Sequence, residues 1–401
     1  MVAVGGGGCV PSHWPRSSAA AVLVVVVVDV WWHPFPDRLP RIVPVWVGLA
    51  VTALVLAVLR PVPVRRKALV VLVALGVVVS GTAQVNEYFG YSPTLRAALG
   101  LPLPNQVAFT QIRLAQSVPV AATAGTTLSA QWSPPTGMPP AGTVTSAAIP
   151  GAVSGFAARD AWIYLPPAYL STPRALLPVL VLLPGQPGEP QDWFNAGHLA
   201  ATMDTFAAAH GGLAPVAVIA DPLGATFANP LCVDSPMGNT FTYLSVDVPA
   251  WIRTHLQVDP NPRHWAVSGL SFGGTCSLQL AVNAPTVYST FLDFSGQEEP
   301  TLGDRTRTLN TVFGGDPAAF AKVNPLDVLK RRRFPDTAGV ITAGRDDAEY
   351  GPQAKRVVAA TTAAGMEIHH FQLPGGHTWP VWASALELSL PFLSHRTGLT
   401  P

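Results

Sequence analysis

Residues 265–274 read Trp-Ala-Val-Ser-Gly-Leu-Ser-Phe-Gly-Gly and contain Gly-x-Ser-x-Gly centred on Ser271. The apolar run Trp265, Ala266, Val267 has the character of a buried strand. The segment after Gly273, through Leu278, Leu280 and Val282 to the stop at Pro285, has the spacing of a helix. A strand that turns into a helix within so few residues leaves little conformational choice. The serine is held in a strained conformation at the carboxyl end of a sheet, with its hydroxyl exposed. Gly269 and Gly273 are required because side chains there would collide with the neighbouring strand and helix.

The rest of the carboxyl-terminal part agrees with that geometry. Strands are expected at 144–149, 161–165, 178–183, 214–220, 265–268, 290–294, 339–342 and 369–373. The run 178–183 is apolar throughout and bounded by prolines, as in a strand buried on both faces. Helical spacing occupies 199–209, 246–256, 273–283 and 353–364. Strands alternating with helices predict a largely parallel sheet covered on both sides, with binding sites at the strands' carboxyl ends. This domain is expected over 143–398. Residues 295–334 read as a polar, irregular stretch in which Lys330–Arg333 is a solvated helix end. Residues 91–142, rich in Pro, Ala, Thr and Ser, read as a linker lying on or near a membrane.

The membrane enters through the first 90 residues. Of the 401 residues 49% are hydrophobic and only 12% charged, about half the globular norm of roughly 25%. The apolar excess lies at the front, where 42–59 and 68–85 carry no charge and are each long enough to span a bilayer. The run 19–32 is shorter and contains Asp29; it reads as a third span, with a signal peptide as its rival. Arg60, Arg65, Arg66 and Lys67 lie between the second and third runs and are expected on the cytoplasmic side. Everything after about Tyr91 is then extracytoplasmic. In that compartment Cys232 and Cys276 can form a disulfide, the alternative being two buried thiols. A net charge of +1 gives no reason to expect a nucleic acid partner. Neither a zinc-type Cys/His spacing nor a phosphate loop is present.

A serine hydroxyl is a poor nucleophile at neutral pH and needs a base, which in turn needs an orienting partner. Of the ten histidines, His377 is the candidate base: it lies in a glycine-rich loop after the last strand, with a Trp-rich segment behind it that can pack the ring. His369 and His370 fall within a strand, one expected inward and one outward. The acid should follow the penultimate strand. There, Asp346, Asp347 and Glu349 offer three carboxylates, of which Asp347 is the first choice. An oxyanion hole needs two backbone N–H groups. One should come from Phe272, the other from the loop after Leu183, where Pro184 and Pro187 have none. That leaves Gly185 or Gln186, with Gln186 preferred.

Taken together these residues resemble the esterase D and mycolyltransferase-like branch of the α/β-hydrolases. The likeness rests on Tyr164-Leu-Pro-Pro-Ala-Tyr169, Leu182-Leu-Pro-Gly185, 242–251, Gly269-Leu-Ser-Phe-Gly-Gly274, Gly344-Arg-Asp-Asp347 and Gly376-His-Thr-Trp379. It implies an α/β-hydrolase fold, here preceded by transmembrane helices. It also implies an esterase or acyltransferase in which Ser271 forms an acyl-enzyme, His377 shuttles the proton and Asp347 orients it. Lipid or envelope esters would be the substrates, and no metal or organic cofactor is implied. Alternatives are mycolyltransferase-like transfer to a sugar and a non-catalytic hydrolase-like membrane protein. The chain departs from the pattern at Pro184, where relatives carry His or Asp before the glycine.

Overall fold

The computed structural model describes residues 22–23, 25–27, 39–59, 63–112, 117–123 and 125–401. It divides into two compact units, Met1–Tyr88 and Phe89–Pro401. The first contains the helices Ile42–Leu59 and Val64–Phe89, of 18 and 26 residues. Both are long and apolar enough to cross a membrane, and most of their large side chains, such as Val45, Leu49, Leu69 and Leu75, are exposed. Gly81 lets them approach each other, since a β-carbon there would lie 3.1 Å from the Trp46 ring. Arg65, Arg66 and Lys67 form the first turn of the second helix, not a loop. Most of the run 19–32, Asp29 included, lies outside the described residues.

In the second unit eight strands build one sheet in the order β1-β2-β4-β3-β7-β8-β9-β10. They are β1 (Thr143–Ala147), β2 (Ala161–Leu165), β3 (Val179–Leu183), β4 (Val216–Ile219), β7 (Trp265–Leu270), β8 (Thr290–Phe294), β9 (Ala338–Gly344) and β10 (Glu367–Leu373). Two short strands, β5 (Asp234–Ser235) and β6 (Gly238–Asn239), pair separately. β1 and β2 run antiparallel to their neighbours, and β4, β3, β7, β8, β9 and β10 are parallel. Every residue of β3, β4, β7, β8 and β9 is buried. The two-residue period of a strand divides them between two cores. Val179, Val181 and Leu183 join one, and Leu180 and Leu182 the other.

The chain adds β4 on one side of β3 and β7 on the other. The direction of winding therefore reverses between β3 and β7, and a crevice opens there at their carboxyl ends. At the far edge β10 is solvent-exposed, so His369 and His370 are both exposed instead of alternating. The helix Trp379–Arg396 fills the second core through Val381, Ala385, Leu386, Leu390 and Leu393.

Two stretches read as irregular carry structure. Within 295–334 lie three short helices, Arg305–Val312, Pro317–Val323 and Pro325–Arg331, the first two capped by Asp304 and Asp316. Lys330 and Arg331 end the third, as expected. The Pro-rich stretch before β1 lies on the domain: Trp132 is buried and donates to Gly211 O at 2.8 Å, and Gln106 bridges Val144.

Candidate active site

Ser271 has φ 53° and ψ −118°, a conformation costly for a residue with a β-carbon and sustained only by its surroundings. Its N–H donates to Phe294 O at 2.8 Å. Its carbonyl accepts from the N–H and hydroxyl of Thr275, at 3.0 and 3.2 Å. A β-carbon on Gly269 would lie 2.4 Å from the Gly273 carbonyl carbon, and one on Gly273 would lie 2.5 Å from Leu183 O. The two glycines are therefore steric necessities of packing the helix Phe272–Asn283 against β7 and β3.

The neighbouring strands lock this turn from beneath. Gln297 N donates to Thr275 Oγ1, and Gly296 N to Asp293 Oδ1, both at 2.8 Å. Asp293 is fully buried; burial raises its carboxyl to about 7, a rise opposed by the Gly296 N–H. From the other side, a disulfide joins Cys276 to Cys232, with Cα atoms 5.5 Å apart. Gln279 Nε2 ties the same helix to Leu231 O at 3.0 Å.

The three candidate acids have separate fates. Asp347, after β9, is 7% exposed and accepts from the N–H of Tyr350 at 2.9 Å. Its other oxygen pairs with His377 Nδ1 at 3.0 Å. Asp346 exchanges hydrogen bonds with the backbone of Gly375, holding the two loops together. Glu349 is exposed and bonds only to Gln353 among the described residues. Gly344 permits the close approach, since a β-carbon there would lie 2.3 Å from Gly375 O.

His377 is gripped by aromatic rings. Tyr350 stacks on it with centroids 4.0 Å apart, and Trp382 meets it edge-on at 4.8 Å. Trp382 is in turn fixed by its Nε1 donating to Ser295 Oγ at 3.2 Å. The Trp-rich segment supplies the packing expected of it, and Tyr350 is an unanticipated second wall. With Nδ1 engaged by Asp347, Nε2 is the nitrogen left for a hydroxyl. Among the described residues no hydrogen bond joins His377 to Ser271. Catalytic hydrogen bonds of this kind often form only with substrate present.

The loop after β3 passes beside the serine: a β-carbon on Gly185 would lie 3.5 Å from Ser271 Cβ. Gln186, next along, points its side-chain amide at Phe227 O, 3.1 Å away. Phe272 begins the helix after the serine, where the first N–H groups have no partner within the helix. Two groups that local sequence gave no reason to single out brace this loop. Arg159 donates to Gly188 O at 2.9 Å while gripping the buried Asp221 with two bonds of 2.8 and 2.9 Å. Asp192 accepts from Glu189 N at 2.8 Å and from the Tyr91 hydroxyl at 2.7 Å. Burial raises Asp192 to about 6, against the opposing effect of the Tyr91 bond.

Comparison with known proteins gives the family and the fold. The family model described as Putative esterase matches residues 158–393. A relative from Corynebacterium glutamicum, described as an uncharacterized protein, is 36% identical over 380 residues, covering 93% of this chain and 86% of its own. The chain belongs to the Esterase family. A ferulic acid esterase superposes with a TM-score of 0.55 at 18% identity, over 64% of this chain and 98% of that one. An S-formylglutathione hydrolase from Agrobacterium tumefaciens gives 0.53 at 18% identity, over 64% and 96%. These two likenesses establish the α/β-hydrolase type of fold. The matched region contains Ser271, Asp347 and His377, together with Arg159 and Asp192.

Proposed function

We propose that the protein is a membrane-anchored serine esterase or acyltransferase that works through an acyl-enzyme on Ser271. The observation that carries this reading is the Asp347–His377 hydrogen bond at the same carboxyl end of the sheet as the strained serine. Ser271 Oγ attacks the ester carbonyl carbon as His377 Nε2 takes its proton. The buried Asp347 keeps Nδ1 protonated and stabilises the imidazolium. The tetrahedral oxyanion is received by the N–H groups of Phe272 and Gln186, preorganised by the helix start and by the Arg159 and Asp192 braces. Collapse expels the alcohol, which leaves with the proton from His377. Water or an acceptor alcohol then repeats the sequence in reverse and frees Ser271.

The two apolar helices support anchoring in a membrane. Arg60 with Arg65, Arg66 and Lys67 of the second helix's first turn, and the disulfide, both favour a catalytic unit on the extracytoplasmic side, where lipid or envelope esters are available. The full-length protein is tested on p-nitrophenyl esters of graded chain length, with and without trehalose as acceptor. Burst release of nitrophenol, lost in Ser271→Ala, is the expected result; turnover unchanged in that variant contradicts the reading. A new sugar ester would assign transfer, and free acid alone would assign hydrolysis.

A further inference from the structure

The residues by which the chain enters the catalytic unit are built into the rim of the candidate site. Gly90 lies so close to the segment after His377 that a β-carbon there would sit 2.8 Å from Pro380 Cδ. The Tyr91 hydroxyl reaches Asp192, and Arg96 Nη1 reaches Asn195 Oδ1 at 3.5 Å. Both acceptors lie in the short helix Asp192–Asn195, which follows the loop of Gly185 and Gln186. Residues 90–96 thus run from the start of the helix that follows the His377 loop to the short helix that follows the Gly185–Gln186 loop.

The outward side of this segment is apolar. Leu95, Leu99 and Leu101 are 75%, 62% and 49% exposed. Phe227, 63% exposed, adjoins the same loop, its carbonyl held by Gln186. Apolar side chains scattered singly over a surface are ordinary. Here Phe227 borders the Gln186 loop, and the three leucines lie in the segment that follows the 26-residue apolar helix ending at Phe89.

We propose that this rim lies in a bilayer surface and admits a membrane-resident lipid ester, whose acyl chain passes to Ser271 along Leu95, Leu99 and Phe227. The proposal rests on the serine esterase reading and names its substrate class. Exposed leucines at the point where the chain leaves an apolar helix are covered by lipid at no cost, whereas in water they are a standing penalty.

The test uses the full chain in phosphatidylcholine nanodiscs with two probes, p-nitrophenyl acetate in solution and p-nitrophenyl palmitate in the bilayer. Leu95→Asp with Leu99→Asp, and separately Phe227→Asp, should lower turnover of the palmitate ester about tenfold or more, because a carboxylate resists transfer into lipid. Turnover of the acetate should stay at the wild-type level. An unchanged rate on palmitate, or an equal fall on both esters, overturns the proposal. A nitroxide on Phe227→Cys, in a Cys9→Ser background, supplies a readout independent of catalysis. It should be shielded from an aqueous nickel chelate and open to oxygen. A nitroxide on Val118→Cys, near the start of β3 where Val120 bridges Ala175, should be open to the chelate. Chelate access at position 227 overturns the proposal. Shielding there in a protein that turns over neither ester counts against the esterase reading and upholds the rim.

Discussion

Asp347 accepts one bond from the His377 imidazole and one from a backbone N–H, whereas Asp346 serves the Gly375 backbone and Glu349 faces water. Only the first arrangement can fix the histidine tautomer. Asp347→Asn should therefore lower kcat about 10⁴-fold, as loss of the acid does in other serine triads. Asp346→Asn and Glu349→Gln should each change it by less than about threefold, on the scale of an exposed substitution. Steady-state kinetics on a soluble ester checks all three. Asp293 governs a different quantity. Its carboxyl is raised to about 7 by burial, so the folded state holds a proton that the unfolded chain, near 4, has lost. The resulting stability is full below the unfolded pKa and is lost as pH rises through about 7. Asp192, raised to about 6, acts with the same sign. Asp293→Asn should flatten the decline of the unfolding midpoint between those pH values, measured by thermal melts of the full chain. An undiminished slope would contradict the assignment.

Strand and helix periodicities carry the fold further than they carry the site. β2 and β8 lie where alternation and apolar runs place them, and the glycines of the serine turn meet the collisions inferred for them. Gly273→Ala should cost about 1–3 kcal/mol, as overpacking does, because the obstructing Leu183 and Pro184 carbonyls are backbone and cannot yield. Urea unfolding measures it. The helix Trp379–Arg396 was hidden by Pro380 and Pro391, and the three helices within 305–331 by their shortness, although Asp304 and Asp316 are ordinary start signals. Ser271, Asp347 and His377 could be singled out as candidates because each follows a strand of the sheet, and the structure brings the last two into contact. Arg159, Asp192 and Tyr91 were not, since the Arg159–Asp221 and Tyr91–Asp192 pairs are separated by 62 and 101 residues and no local pattern encodes a contact at that range.

At the scale of the molecule, the disulfide and the two apolar helices carry the proposed location. The Cys232–Cys276 bridge closes a separation of 44 residues, and its loss through paired Ala substitutions should cost about 2–4 kcal/mol. Calorimetry in detergent reads that change, and a bridge that never forms in the native host would contradict an oxidising compartment. The two apolar helices predict that the full chain resists extraction by alkaline carbonate and that a carboxyl-terminal tag is accessible from outside the cell. The central claim is the identity of the nucleophile. A fluorophosphonate probe applied to the full-length protein, followed by peptide mass spectrometry, should place a single adduct on Ser271 and none in Ser271→Ala. Equal labelling of the two proteins, or an adduct on another residue, would contradict it.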